Sequence, residues 1–210
     1  SEPTDHILID KLDHASIVDG TLFSKAKFKR YSHNNISDLS KKVNESDKDI
    51  IVCVDSLFSM DGDFAKLNEI QKIKKNKDFY LLVDEAHALG VYGSGGRGLC
   101  NEMNIPMNEM VGITGTFGKS FGTFGAFFSG SQDVVNFVLQ NSRSYIYSTS
   151  LPRPIIDATI KSILKKESEY LMLDSLLAKK KLQWKPILSF HEAINLTNSW
   201  YSEFYTHNKL

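Results

Sequence analysis

An aspartate three residues ahead of a histidine, a lysine between glycines and several hydroxyls are the side chains of this sequence that could do chemistry. They lie in Phe58-Ser59-Met60-Asp61-Gly62-Asp63, in Val83-Asp84-Glu85-Ala86-His87 and in Thr116-Phe117-Gly118-Lys119-Ser120-Phe121-Gly122. Each alone is ordinary: an isolated Asp-x-x-His is a solvated loop pair or a helix cap, and an isolated lysine among glycines is surface. Their order and spacing together are specific. Asp84 and His87 would begin a metal site, but no third ligand follows nearby, and Asp5-His6 or Asp13-His14 would have to come from another strand. No metal is expected. Gly118-Lys119-Ser120 ends like a G-x-x-x-x-G-K-[ST] phosphate loop, yet its first glycine position holds Ile113. Gly112 to Gly118 also spells G-x-x-G-x-x-G, a dinucleotide fingerprint. Such a loop must run into a helix whose N-terminus holds the pyrophosphate, whereas Gly122-Thr123-Phe124-Gly125 leads into the apolar run Ala126-Phe127-Phe128.

The elements that must position these groups are readable from periodicity. Short apolar runs bounded by turn residues, Ile7 to Ile9, Ile50 to Val54, Tyr80 to Val83, Met110 to Thr114 and Ala126 to Phe128, predict buried strands. Between them, Ile36 to Val43, Phe64 to Ile73 and Val134 to Leu139 have helical spacing with a polar opposite face. That alternation predicts an α/β fold with a mostly parallel sheet. Ligands bind such sheets at the carboxyl ends of the strands, where Asp10, Asp55, Asp84 and Thr116 fall.

Charge points to no partner: 25 basic residues balance 25 acidic ones, which predicts neither a nucleic-acid surface nor an acidic tail. No apolar run approaches the roughly 20 residues of a membrane span, so a soluble protein without membrane partner is expected. Cys53 and Cys100 lie far apart in apolar contexts, which fits a reduced, cytoplasmic setting.

The strand-end Asp-x-x-His followed by Thr116-Phe117-Gly118-Lys119, with Asp13-His14-Ala15-Ser16, Gly96-Arg97-Gly98 and Tyr147-Ser148-Thr149-Ser150-Leu151-Pro152, resembles the α-oxoamine synthase family of fold-type I pyridoxal-phosphate (PLP) enzymes. The resemblance covers residues 1–166. It implies the large domain of the aspartate aminotransferase-like PLP transferases, N-terminally truncated, with PLP as cofactor. It further implies Lys119 as the lysine that carries PLP, Asp84 at the pyridine nitrogen, and His87 and Ser59 at the ring's phenolic oxygen. Thr116 would meet the phosphate, with Ser148 and Thr149 supplied across a homodimer interface. The implied reaction condenses an amino acid, L-alanine, with an acyl-CoA, pimeloyl-CoA, with loss of carbon dioxide.

Two departures accompany the resemblance. The family's chains begin before the present Ser1, and the resemblance implies that the histidine stacking on the ring and a glycine-containing phosphate turn lie in that stretch, with no substitute here. The family's substrate-carboxylate arginine would belong to a C-terminal small domain. Instead, residues 167–210 are expected to form a separate helical appendage. Leu173-Asp174-Ser175, Ala178 to Pro186 and Ser189 to Ile194 resemble the C-terminal end of CDP-glucose 4,6-dehydratases, and Tyr205 and Lys209 spell Y-x-x-x-K. Ser189 and Glu192 predict a capping box, and Phe190, Ala193, Ile194, Thr197, Trp200, Tyr201 and Phe204 predict an aromatic core stripe. The competing readings are a remnant of such a dehydratase or a catalytically dead fusion relic.

Overall fold

The computed structural model describes residues 5–164, 176–183 and 185–207. Contacts divide the chain into two compact units, Ser1–Glu167 and Ser168–Leu210. In the first, the apolar runs become β1 (His6–Asp10), β3 (Ile50–Asp55), β4 (Tyr80–Asp84), β5 (Gly112–Thr116) and β6 (Ala126–Gly130), joined by β2 (Lys27–Tyr31). They form one six-stranded sheet in the order β2-β1-β3-β4-β5-β6. All neighbours run parallel except the antiparallel β5 and β6. Register sets Asp55 beside Asp84 and Asp84 beside Thr114, which aligns the polar strand ends in one row.

Strand side chains alternate between the two faces. On one face Leu8, Val52, Val54, Leu81 and Val83 pack against α2 (Ile36–Glu45), α3 (Leu67–Asn76) and α4 (Leu99–Glu102), through residues such as Leu39, Val43, Ile70 and Leu99. Burying side chains of this kind contributes about 1.5–3 kcal/mol each. On the other face Ile7, Ile9 and Cys53 meet Ile17 and Val18 of α1 (Ala15–Phe23). Local chemistry starts the helices: the Asn35 side chain accepts from Asp38 N at 3.0 Å at the head of α2. After β6 come α5 (Gln132–Asn141), α6 (Arg143–Ile146) and α7 (Arg153–Ile163).

Two strands differ from the sequence expectation. β2, Lys27-Phe28-Lys29-Arg30-Tyr31, was hidden by its charges, which suit a sheet edge exposed to water. β5 begins two residues later than the apolar run and includes two glycines of the dinucleotide-like spacing. Those glycines are there for packing: a Cβ on Gly115 would lie 2.2 Å from Leu89 Cδ1, and one on Gly112 would lie 2.5 Å from the Phe128 ring. The segment after them turns through residues 117–125 into β6 and starts no helix.

At the edge of the sheet His33 ties three segments together. Its Nδ1 lies 2.8 Å from Asp10 Oδ1 and its Nε2 lies 3.0 Å from Asp63 Oδ2. A neutral imidazole has one N–H, so two carboxylate partners require the imidazolium. Burial alone would lower the His33 pKa, but the hydrogen bonds and charges of Asp10 and Asp63 outweigh it and raise the value. The clasp therefore stabilises fully below the ordinary value of about 6.5 and is lost as pH rises through the folded-state value. Urea midpoints between pH 6 and pH 9 are expected to fall less steeply in His33→Gln than in the parent chain. Parallel profiles would show that the imidazolium contributes nothing.

The second unit contains α8 (Leu176–Leu182) and α9 (Phe190–His207). The capping box forms: Glu192 Oε2 accepts from Ser189 N at 2.8 Å, and Ser189 Oγ accepts from Glu192 N at 3.3 Å. The aromatic stripe is not a core. Phe190, Ile194, Trp200 and Tyr201 are exposed, and aromatic rings stack along the helix instead, Trp200 on Phe204 at 5.2 Å and Tyr201 on Tyr205 at 6.2 Å. Helical spacing alone does not say whether a stripe is covered. Lys209 and Trp184, parts of the sequence reading of this tail, lie outside the described residues.

Candidate active site

The strand ends open into a cleft of about 700 Å³ lined by Asp84, His87, Thr116 and Lys119, and also by His14 and Asp55. Asp84 closes β4, where its Oδ1 accepts from Ala86 N at 2.8 Å. The other oxygen, Oδ2, has no hydrogen-bond partner among the described residues, nor does the Lys119 amine. His87 follows Asp84 by one turn of chain. Burial holds its pKa below the ordinary histidine value, the nearby Lys119 charge adds to this, and the Asp84 charge opposes it. His87 is therefore a neutral imidazole at pH 7, one ring nitrogen donating and the other accepting.

Lys119 sits in the turn between β5 and β6. Ser120 Oγ donates to Leu89 O at 2.5 Å, which pins this turn to the segment after β4. Thr116 reaches the cleft, but its hydroxyl donates to Gly125 O at 3.1 Å and accepts from Gly118 N at 3.1 Å. Its visible role is to close the turn that carries Lys119.

Asp55 and His14 joined the cleft without having been assigned to it. Asp55 ends β3, and its Oδ2 accepts from His14 N at 2.8 Å. Burial pushes the Asp55 carboxyl up to about 6, with Asp84 adding to the rise and His14 and Lys119 opposing it. The His14 ring accepts at Nδ1 from Ser16 N at 3.2 Å, capping α1. The same Nδ1 lies 2.8 Å from Ser16 Oγ. His14 lines the cleft although the sequence reading gave it no role there. Its signal in the sequence was Asp13-His14 four residues past a strand end, a reach that strand periodicity does not measure.

Ser59, Ser148 and Thr149 do not line the cleft. Ser59 is exposed on the loop between β3 and α3. Ser148 Oγ donates to Ser144 O, and Thr149 is exposed on the segment before α7. Among the described residues the His, Cys, Asp and Glu atoms close enough to share an ion belong to His33, Asp61 and Asp63, outside the cleft. Both cysteines are free and buried, and among the described residues no helix is long and apolar enough to cross a membrane.

A carboxylate, a neutral imidazole, a second imidazole and an amine thus surround one cavity at the carboxyl ends of a parallel sheet. The arrangement is that of an α/β transferase of the aminotransferase type. The model of the family "Aminotransferase class I and II" matches residues 1–184. The chain belongs to that family, and its likeness within it is to the α-oxoamine synthases. The 8-amino-7-oxononanoate synthase of Pseudomonas syringae pv. syringae (strain B728a) is 42% identical over 159 residues, which cover 76% of this chain and 40% of that protein. A solved 8-amino-7-oxononanoate synthase from Francisella tularensis superposes with a TM-score of 0.68 at 34% identity, covering 77% of this chain and 47% of that one. A structure of SPT with PLP superposes at 0.73 with 32% identity, covering 78% and 41%. The chain spans about two-fifths of the length of the curated relatives it matches.

Proposed function

We propose that the cleft binds PLP and that this chain carries the lysine-bearing part of a C-acyltransferase like 8-amino-7-oxononanoate synthase. The observation that carries the reading is the convergence of Asp84, His87 and Lys119 on one cavity, close enough for the Lys119 and Asp84 charges both to act on His87. The donor set fits the cofactor. Asp84 keeps one carboxylate oxygen free to accept from a pyridinium N–H, a charge-assisted bond worth about 1.5–3 kcal/mol. His87 can donate to the phenolic oxygen, and the His14 imidazole can face the ring. Thr116 would serve the phosphate by turning its hydroxyl from Gly125, while Ser59 would reach the ring only after its loop moves.

PLP, when bound, supplies an electron sink for the pair left at the amino acid's α-carbon. Lys119 would carry the cofactor and, once released, would take the α-proton as a base. Asp84 would hold the pyridine nitrogen protonated through that transfer. The buried apolar strand residues beneath the cleft would exclude water from it. The overall reaction is the decarboxylating condensation of L-alanine with pimeloyl-CoA, releasing coenzyme A. A homodimer, in which Ser148 and Thr149 of each chain serve the other's phosphate site, and a cytoplasmic location belong to the same reading. The tail 167–210 is read as a separate appendage, on its likeness to a sugar-nucleotide dehydratase end.

Titrating PLP into the 210-residue chain tests this reading. A visible absorbance band is expected, and it should be absent in Lys119→Ala at an unchanged melting temperature. The same band in both proteins, or in neither, would overturn it.

A further inference from the structure

We propose that Asp13 is a positioning residue for the cofactor cleft: its carboxyl joins the ends of β1 and β3 and thereby fixes His14 and Asp55 opposite Asp84 and Lys119. This rests on the PLP reading of the cleft. The two Asp13 oxygens serve different strands. Oδ2 accepts from Asp10 N at 2.7 Å, at the end of β1, and Oδ1 accepts from Asp55 N at 2.9 Å, at the end of β3. Asp55 returns the contact, its Oδ2 accepting from His14 N at 2.8 Å. Residues 13 and 14 and residue 55 are thus closed into a small ring of two hydrogen bonds. The ring spans the place where the chain leaves β1 toward one edge of the sheet and β3 leads toward the other, the crevice in which sheets of this kind bind ligands.

Asp13 is itself buried, among Asp10 of β1, Tyr31 of β2, and Cys53 and Asp55 of β3. It does not touch the cavity, so its effect must pass through His14 and Asp55. Burial pushes its carboxyl up to about 8 against the pull of the two backbone N–H groups, with the Asp55 and Asp10 charges adding to the rise. A carboxyl is thus kept in a place hostile to its charge; its two oxygens face backbone N–H groups of different strands, and both are full acceptors in the ionised form. A serine or alanine could not span both strands, and an asparagine could serve one N–H but not both.

The test compares Asp13→Ala and Asp13→Asn with the parent chain, below the melting temperature of each. PLP affinity by absorbance is expected to fall on the order of tenfold or more in Asp13→Ala and to be partly restored in Asp13→Asn, about one hydrogen bond's difference. The His87 imidazole, followed by NMR, reports cleft geometry without the cofactor. The His14 charge is one of the groups that lower the His87 value, after burial and Lys119, so the titration midpoint is expected to shift upward in Asp13→Ala as His14 departs. An unchanged midpoint together with PLP affinity within twofold of the parent would overturn the proposal. If the parent chain takes up no PLP, the PLP reading fails, and the His87 midpoint alone decides for or against Asp13. Should Asp13→Ala not fold, Asp13→Asn decides by the same two measurements.

Discussion

Replacing Asp84 with alanine is expected to weaken PLP binding roughly 10- to 100-fold, because a charge-assisted hydrogen bond of about 1.5–3 kcal/mol is lost. The side chain is well prepared for that bond. Ala86 N fixes one oxygen at 2.8 Å, and the parallel register with Asp55 and Thr114 fixes the strand end from both sides. Asp84→Asn separates charge from shape. It keeps an acceptor for Ala86 N but no longer favours a protonated pyridine, so PLP should still bind, with a smaller loss of affinity than in Asp84→Ala. Absorbance titration of both variants checks this. Equal affinity in Asp84→Ala and the parent chain would remove Asp84 from the cofactor.

The largest loss of stability is expected one residue further on. Glu85 is fully buried, and its carboxylate accepts from Ser56 Oγ at 2.8 Å, Leu99 N at 2.9 Å and Cys100 N at 2.6 Å. It thus joins the end of β3 to the first turn of α4, an acid at a helix N-terminus. Backbone comes so close that a Cβ on Gly98 would lie 2.8 Å from the carboxylate. Glu85→Ala strands three donors in the core and is expected to cost about 3–5 kcal/mol. Glu85→Gln, which keeps one acceptor oxygen, should fall between. Urea denaturation gives the comparison, and a loss below about 1 kcal/mol in Glu85→Ala would show that water or rearrangement satisfies the donors.

The legible parts of this protein are those that periodicity and strand ends encode. Ile50 to Val54 and Tyr80 to Val83 read as buried strands because β3 and β4 are covered on both faces, and Asp55, Asp84 and Thr116 could be located at the ends of β3, β4 and β5. Lys119 was legible through its glycine-flanked spacing from Asp84. What stayed hidden depends on contacts across sequence. His14 reaches the cleft only because Asp13 and Asp55 fold the chain after β1 inward, a bond over 42 positions for Asp55 N and Asp13 Oδ1. Glu85 looks like a surface acid until Ser56 and α4 close over it. β2 reads as a charged linker because an edge strand needs no apolar outer face. The stripe on α9 carries the pattern of a buried helix with no record of a covering partner, so its exposure could not be read from spacing.

If Lys119 carries PLP, one chemical measurement on the protein reads it out. The chain is incubated with PLP, reduced with borohydride to fix the cofactor to its lysine, digested with trypsin and mapped by mass spectrometry. The pyridoxyl group is expected on the peptide containing Lys119. Label on another lysine, such as those at Lys179 to Lys181, or no label at all, would contradict it.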